Sequence, residues 1–153
     1  MKTITKLFLS LCLVVGLGVT LSANAQIESD ATIKANIPYA FVVNNTTLPA
    51  GTYMITVADS NDAKVLEIKS AKGKMSVYFD TDPINLAHSM RHSELVFDKV
   101  GDTYFLSRVF LQGDESGNQL RKSKMQRRLE EGGLTAASTS IGAERISVKR
   151  NMK

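Results

Sequence analysis

The chain has 153 residues, 43% of them hydrophobic and 22% charged, with a formal charge of +4 at pH 7, two histidines and one cysteine. This length suits a single domain able to bury a core of its own. One cysteine excludes an intramolecular disulfide.

The N-terminus reads as a cleavable secretory signal peptide, residues 1–25. Lys2 and Lys6 form a positive start, and Leu7 to Leu21 is an uncharged apolar run loosened by Gly16 and Gly18. Ala23-Asn24-Ala25 follows as a small-x-small cleavage pattern that leaves Gln26 first. The run is short of the roughly 20 apolar residues that a spanning helix requires. Cys12 follows Leu11 in mid-run, so it lacks the small neighbour and the terminal position of a lipid-anchored cysteine. Cleavage removes this cysteine and two of the 19 basic side chains, leaving 17 against 15 acidic ones, a charge of +2. Thiolate metal sites and cysteine nucleophiles are then excluded. The expected location is outside the cytoplasm, periplasmic or extracellular, with no transmembrane anchor after cleavage and no nucleic-acid partner.

The mature chain alternates apolar and polar residues with period two, as strands with one buried face do. Ile33, Ala35 and Ile37 share one face, and Pro38 bends the chain. Phe41 and Val43 continue extended, and Asn44 to Thr47 is turn-like. Leu48-Pro49-Ala50-Gly51 predicts a turn with Gly51 left-handed at its exit. Tyr53, Ile55 and Val57 form the next inward face, then Leu66 and Ile68. After a reversal at Lys72-Gly73 come Met75, Val77 and Phe79. Asp80 to Ser93 shows no usable period and reads as a long loop with a short helical turn.

Leu95 and Phe97 resume the strands, and Gly101-Asp102 has the chemistry of a two-residue hairpin. Tyr104 to Leu111 is apolar on both parities, which calls for a cover on its second face. A short helix supplies it: Ser123 and Gln126 fit a capping box, Met125 and Leu129 lie four apart to dock, and Gly132-Gly133 ends it. Residues 26–133 are thus read as a β domain with a late helix. Residues 134–153 are read as a polar tail: Leu134 to Gly142 as linker, Ile146 and Val148 as a candidate final strand. The fold class expected is mostly β, an antiparallel sandwich or barrel of about seven to eight strands with one short helix in the C-terminal half.

Four stretches carry a resemblance in common order. Ile37-Pro38-Tyr39-Ala40-Phe41-Val42-Val43, then Leu48-Pro49-Ala50-Gly51-Thr52-Tyr53, resembles the opening of a family of small exported bacterial β proteins of unassigned function. Gly101-Asp102-Thr103-Tyr104-Phe105-Leu106-Ser107 and Lys122-Ser123-Lys124 are similar to its later part, so the likeness spans about residues 31–131. The resemblance implies an exported, compact β domain, and it brings no catalytic residues to carry over. After Gly133 the chain departs from the family pattern, with a longer and more polar tail.

Few residues suggest chemistry. His88 and His92, with Glu94 beyond, would share a face and could hold a metal if the loop made a helical turn; the plainer reading is a solvated loop. Ser89 and Ser93 lie near the histidines, but no Gly-x-Ser-x-Gly elbow occurs. Asp80 and Asp82 read as turn carboxylates rather than an acid–base pair. Arg121, Lys122, Lys124, Arg127 and Arg128 could make a basic amphipathic helix for anionic surfaces, or simply a solvated face above two docked apolar residues. The aromatics Tyr39, Phe41, Tyr53, Tyr78, Phe79, Tyr104, Phe105 and Phe110 belong to a core or, in a hollow barrel, to a ligand cavity. Asn44 and Asn45 each head an Asn-x-Thr pattern, a glycosylation acceptor only in a eukaryotic secretory route.

The function expected is a non-catalytic binding or structural module of the cell envelope or exterior, needing no cofactor. Its partners would be an envelope component, a polysaccharide or a small apolar ligand. The alternatives are a carrier of a small apolar ligand in a barrel cavity, and a metal-dependent or hydrolytic enzyme using His88 and His92.

Overall fold

The computed structural model describes residues 31–59 and 62–147. Among these the strands are β1 (Ala31–Ile37), β2 (Phe41–Val43), β3 (Thr46–Leu48), β4 (Gly51–Asp59), β5 (Asp62–Ser70), β6 (Ser76–Asn85), β7 (Ser93–Val100), β8 (Thr103–Phe110), β9 (Ser116–Leu120) and β10 (Ala136–Ser147), with one helix, α1 (Lys124–Glu131), before β10. Eight strands close on themselves in the order β7-β10-β1-β4-β5-β6-β9-β8, every neighbour antiparallel, and the β8–β9 pairing completes the ring. The fold is an antiparallel barrel. β2 and β3 form a hairpin outside the ring, joined through a parallel pairing of Phe41 and Val42 with Tyr104 and Phe105 of β8.

Alternation along the strands fills the barrel. Ile33, Ala35 and Ile37 from β1, Tyr53 and Ile55 from β4, and Leu66 and Ile68 from β5 pack in one cluster with Phe79, Leu95, Phe97, Leu106, Val109 and Leu120. Phe97 is 0% exposed, and it meets Phe41 edge-on with ring centroids 5.5 Å apart. Burying each such side chain contributes about 1.5–3 kcal/mol. The interior of this barrel is therefore occupied by its own side chains.

The two-sided apolar pattern of β8 has two causes. The register between β7 and β8 shifts between Val96 and Phe97, since Val96 faces Arg108 while Phe97 faces Leu106. The extra residue, Ser107, switches the parity, so Leu106 and Val109 both reach the inner cluster. The outward residue Phe105 joins Val42 and Val100 in a second cluster, closed from outside by Leu129 of α1. The helix is thus the expected cover.

Several local expectations are met by geometry. Val100 faces Thr103 across a two-residue turn in which Gly101 takes φ 60°, a value suited to the first central position of a tight hairpin. Gly73 takes φ 70° at the reversal after β5, where its amide donates to Ser70 O at 2.7 Å. Ser123 caps α1, its hydroxyl accepting from Gln126 N at 3.1 Å.

Others are corrected. Gly51 is not left-handed; it is already the first residue of β4, held extended by pairing with Ile37. The turn before it is clamped instead by the Tyr53 hydroxyl, which donates to Pro49 O at 2.8 Å. Asp80 to Asn85 is strand rather than loop. β6 pairs with β5 as far as Asp80 and with β9 from Thr81 onward, and this change of partner hides its period. No helical turn forms in residues 86–92.

The helix docks differently from the expected Met125 and Leu129 pair. Gln126 is 3% exposed and Leu129 packs inward, while Met125 is 46% exposed. Finally, Leu134 to Gly142 is not a linker. From Ala136 the chain is strand β10, which pairs with β7 through Ala143 and with β1 from Glu144. Val148 lies outside the described residues.

Candidate functional site

The barrel has two furnished ends. At one, the β7–β8 turn, the β3–β4 turn, the β5–β6 turn and residues 38–40 lie together, as the registers of β1 with β4 and of β7 with β10 require. Tyr39 closes this end. Its ring stacks on Tyr104 at 3.7 Å and meets Phe97 edge-on at 5.5 Å, and the ammonium of Lys99 sits 5.6 Å from the Tyr104 centroid on β8. The Tyr39 hydroxyl is buried without a hydrogen-bond partner. Burial, with Tyr104 alongside, pushes its pKa above the ordinary tyrosine value.

The other end carries the histidines. Residues 86–92 are locked to the β8–β9 loop by Leu86 N to Glu115 O at 2.9 Å, Met90 N to Asp114 O at 3.1 Å and Gly113 N to Met90 O at 2.8 Å. His88 is exposed. His92 Nε2 lies 3.9 Å from Glu94 Oε2, the histidine side chain 70% exposed. Without a helical turn, His88 and His92 lose the common face on which a shared metal would depend. Among the described residues no three His, Cys, Asp or Glu side chains converge. Ser93 is buried, and its Oγ accepts from Gln112 N at 2.9 Å. That bond is structural rather than nucleophilic in geometry.

The five cations near α1 divide. Arg121 makes two 2.9 Å hydrogen bonds to Asp82 on β6, which holds that carboxylate below its usual range. Lys122 Nζ contacts Glu130 at 2.6 Å. Arg127 donates to Lys122 O at 2.8 Å. Lys124 and Arg128 make no ion pair among the described residues, and with Arg127 and Glu131 they line a shallow groove on the solvent side of α1. Beside them Met125 overhangs a second shallow depression, bordered by Ala40, Val42, Thr47 and Asp102.

The inner side of α1 is a polar clamp. The Gln126 amide donates to Asp98 Oδ2 at 3.4 Å and to Glu130 Oε1 at 3.3 Å, so it does not turn back to complete a capping box. Asp98 also accepts from Ser138 Oγ at 2.9 Å. Sequence reasoning overlooked Asp98, because its partners Gln126 and Ser138 lie 28 and 40 residues along the chain. The one available signal was a glutamine at a helix position that faces the barrel.

Of the aromatics singled out in the sequence, Tyr39, Phe41, Tyr53, Phe79 and Tyr104 join the inner cluster, Phe105 the outer wall, Phe110 is buried against Gly117, and Tyr78 is 61% exposed. Ala23, Ala25 and Gln26, the cleavage residues read from the sequence, lie outside the described residues. Comparison with protein-family models, curated proteins and solved structures returns no match.

Proposed function

We propose that the protein is an exported, non-catalytic binding module of the cell envelope or exterior, and that it engages anionic lipid headgroups through the solvent side of α1. One observation carries this reading: the helix divides its labour. Gln126 and Leu129 hold the barrel, while Lys124, Arg127 and Arg128 face water against the single carboxylate of Glu131. Met125, 46% exposed, flanks these cations. Cations bordered by an exposed apolar side chain suit a charged interface with an acyl region beneath, where attraction and shallow insertion add. A filled interior also favours contact by the surface over carriage within. The signal-like segment 1–25 and the four family-like stretches support the exported compartment.

Co-sedimentation with vesicles tests the contact. Phosphatidylcholine vesicles containing phosphatidylglycerol should retain the protein at low salt, and pure phosphatidylcholine vesicles should not. Retention should fall as salt rises. The triple variant Lys124→Glu, Arg127→Glu, Arg128→Glu should lose binding at an unchanged melting temperature. Equal binding to neutral vesicles, insensitivity to salt, or exclusive binding to an acidic polysaccharide such as polygalacturonate would each overturn it. For the compartment, cell fractionation with N-terminal sequencing should find the chain outside the cytoplasm and starting at Gln26; a cytoplasmic chain starting at Met1 refutes export.

A further inference from the structure

On a different face, we infer that the protein holds a small amphipathic anion, a carboxylate with a short apolar body, in the cleft between the β3–β4 and β5–β6 turns. The cleft measures about 330 Å³. That is at the lower end of the volumes small-molecule sites occupy, roughly 300–1,000 Å³. One wall is the chain from Pro49 to Tyr53 and the other comes from the Ser70–Met75 turn.

Both walls are fixed by hydrogen bonds. The Tyr53 hydroxyl donates to Pro49 O at 2.8 Å, and Ala71 N donates to Thr52 O at 2.9 Å, tying one wall to the other. The second turn is closed by Ser70 N to Met75 O at 2.9 Å and Gly73 N to Ser70 O at 2.7 Å. A cleft built this way needs little ordering when it fills.

Its chemistry is two-part. The apolar lining comes from Tyr53, Met75 and the Pro49 ring, with Met75 only half-buried. Lys72 and Lys74, exposed on either side of Gly73, supply its charge, and neither makes an ion pair among the described residues. No carboxylate is among the lining side chains. In water an exposed ammonium attracts an anion weakly. Charge alone therefore does not hold a bare phosphate here, and apolar contact alone does not use the lysines. A ligand with both parts satisfies both.

Two-dimensional ¹⁵N–¹H spectra of the purified protein, titrated separately with octanoate, 1-octanol and inorganic phosphate, test the inference. Octanoate should move the amides of residues 50–53 and 70–75 in a saturable way at submicellar, millimolar concentration. Octanol and phosphate should bind at least about tenfold more weakly. Lys72→Gln with Lys74→Gln should weaken octanoate by at least about tenfold, whereas Lys34→Gln, an exposed lysine of β1 outside the cleft lining, should leave it unchanged. The inference falls if octanoate moves no amide at this cleft, if octanol binds as tightly, or if the Lys72/Lys74 variant binds as before. The vesicle experiment reads a different face, so failure there leaves this result standing.

Discussion

The side-chain amide of Gln126 donates to the carboxylate of Asp98 at 3.4 Å across the seam between α1 and β7. The other oxygen of that carboxylate accepts from Ser138 of β10 at 2.9 Å, and Ser138 Oγ in turn accepts from Arg108 of β8 at 3.4 Å. One carboxylate thus joins the helix to β10, the strand between β7 and β1. Asp98→Ala should lower stability by about 1–3 kcal/mol, because the buried Gln126 amide keeps only Glu130 as a partner. Urea denaturation of Asp98→Ala, Gln126→Ala and the double variant should give a coupling energy of about 0.5–3 kcal/mol. Strict additivity would show that the contact carries no energy.

Gly117 of β9 lies against the ring of Phe110 on β8. A Cβ at position 117 would stand inside van der Waals contact with two ring carbons of Phe110 and close to Ile84. Gly117→Ala should therefore cost about 1–3 kcal/mol by overpacking. Adding Phe110→Leu should recover part of that loss in the same melts, since removing the ring opens the space. A wild-type melting temperature for Gly117→Ala would show that β9 can shift at no cost.

β10 begins only three residues beyond Gly133, and it is the strand between β7 and β1. Ending the chain at Gly133 should abolish cooperative unfolding, because both neighbouring edges lose their pairing and the core opens to water. Circular dichroism with a thermal scan reads this directly. A truncated chain that still melts cooperatively would mean that β10 is dispensable to the ring.

The Arg121–Asp82 pair sets a pH dependence of known sign. Hydrogen bonds from Arg121 hold the Asp82 pKa below its ordinary value. A carboxylate depressed in the folded state stabilises the fold above its unfolded pKa, and that contribution disappears as pH falls through the folded value. Arg121→Gln should raise the Asp82 pKa toward the ordinary carboxylate value in a ¹³C-carboxyl NMR titration. It should also flatten the acid limb of the stability curve slightly, since both side chains are exposed. An unmoved Asp82 titration would show that the pair does not persist in solution.

Local chemistry made much of the barrel legible. Period-two apolar positions located β1, β4, β5 and β7, and Gly101-Asp102 and Lys72-Gly73 located their turns, because side-chain alternation and turn conformation are properties of neighbouring residues. The cap at Ser123 and the stop at Gly132 were readable for the same reason. So was the cationic character of α1. Which of those cations stay unpaired was not, since Arg121 meets Asp82 from 39 residues away.

Tertiary structure decided what depends on distant partners. β6 changes neighbours at Thr81, so its pattern answers to two surfaces in turn. β10 is small and polar because residues 136–140 face solvent, and its place is set by backbone pairing, with β7 through Ala143 and with β1 from Glu144, rather than by large side chains. Gln126, read from the sequence as half of a capping box, docks in place of Met125 because Asp98 lies under the helix, and a carboxylate there selects an amide over a thioether. Residue order carries the strands and turns; ring closure, the seat of the helix and the set of free charges emerge only when the strands have paired.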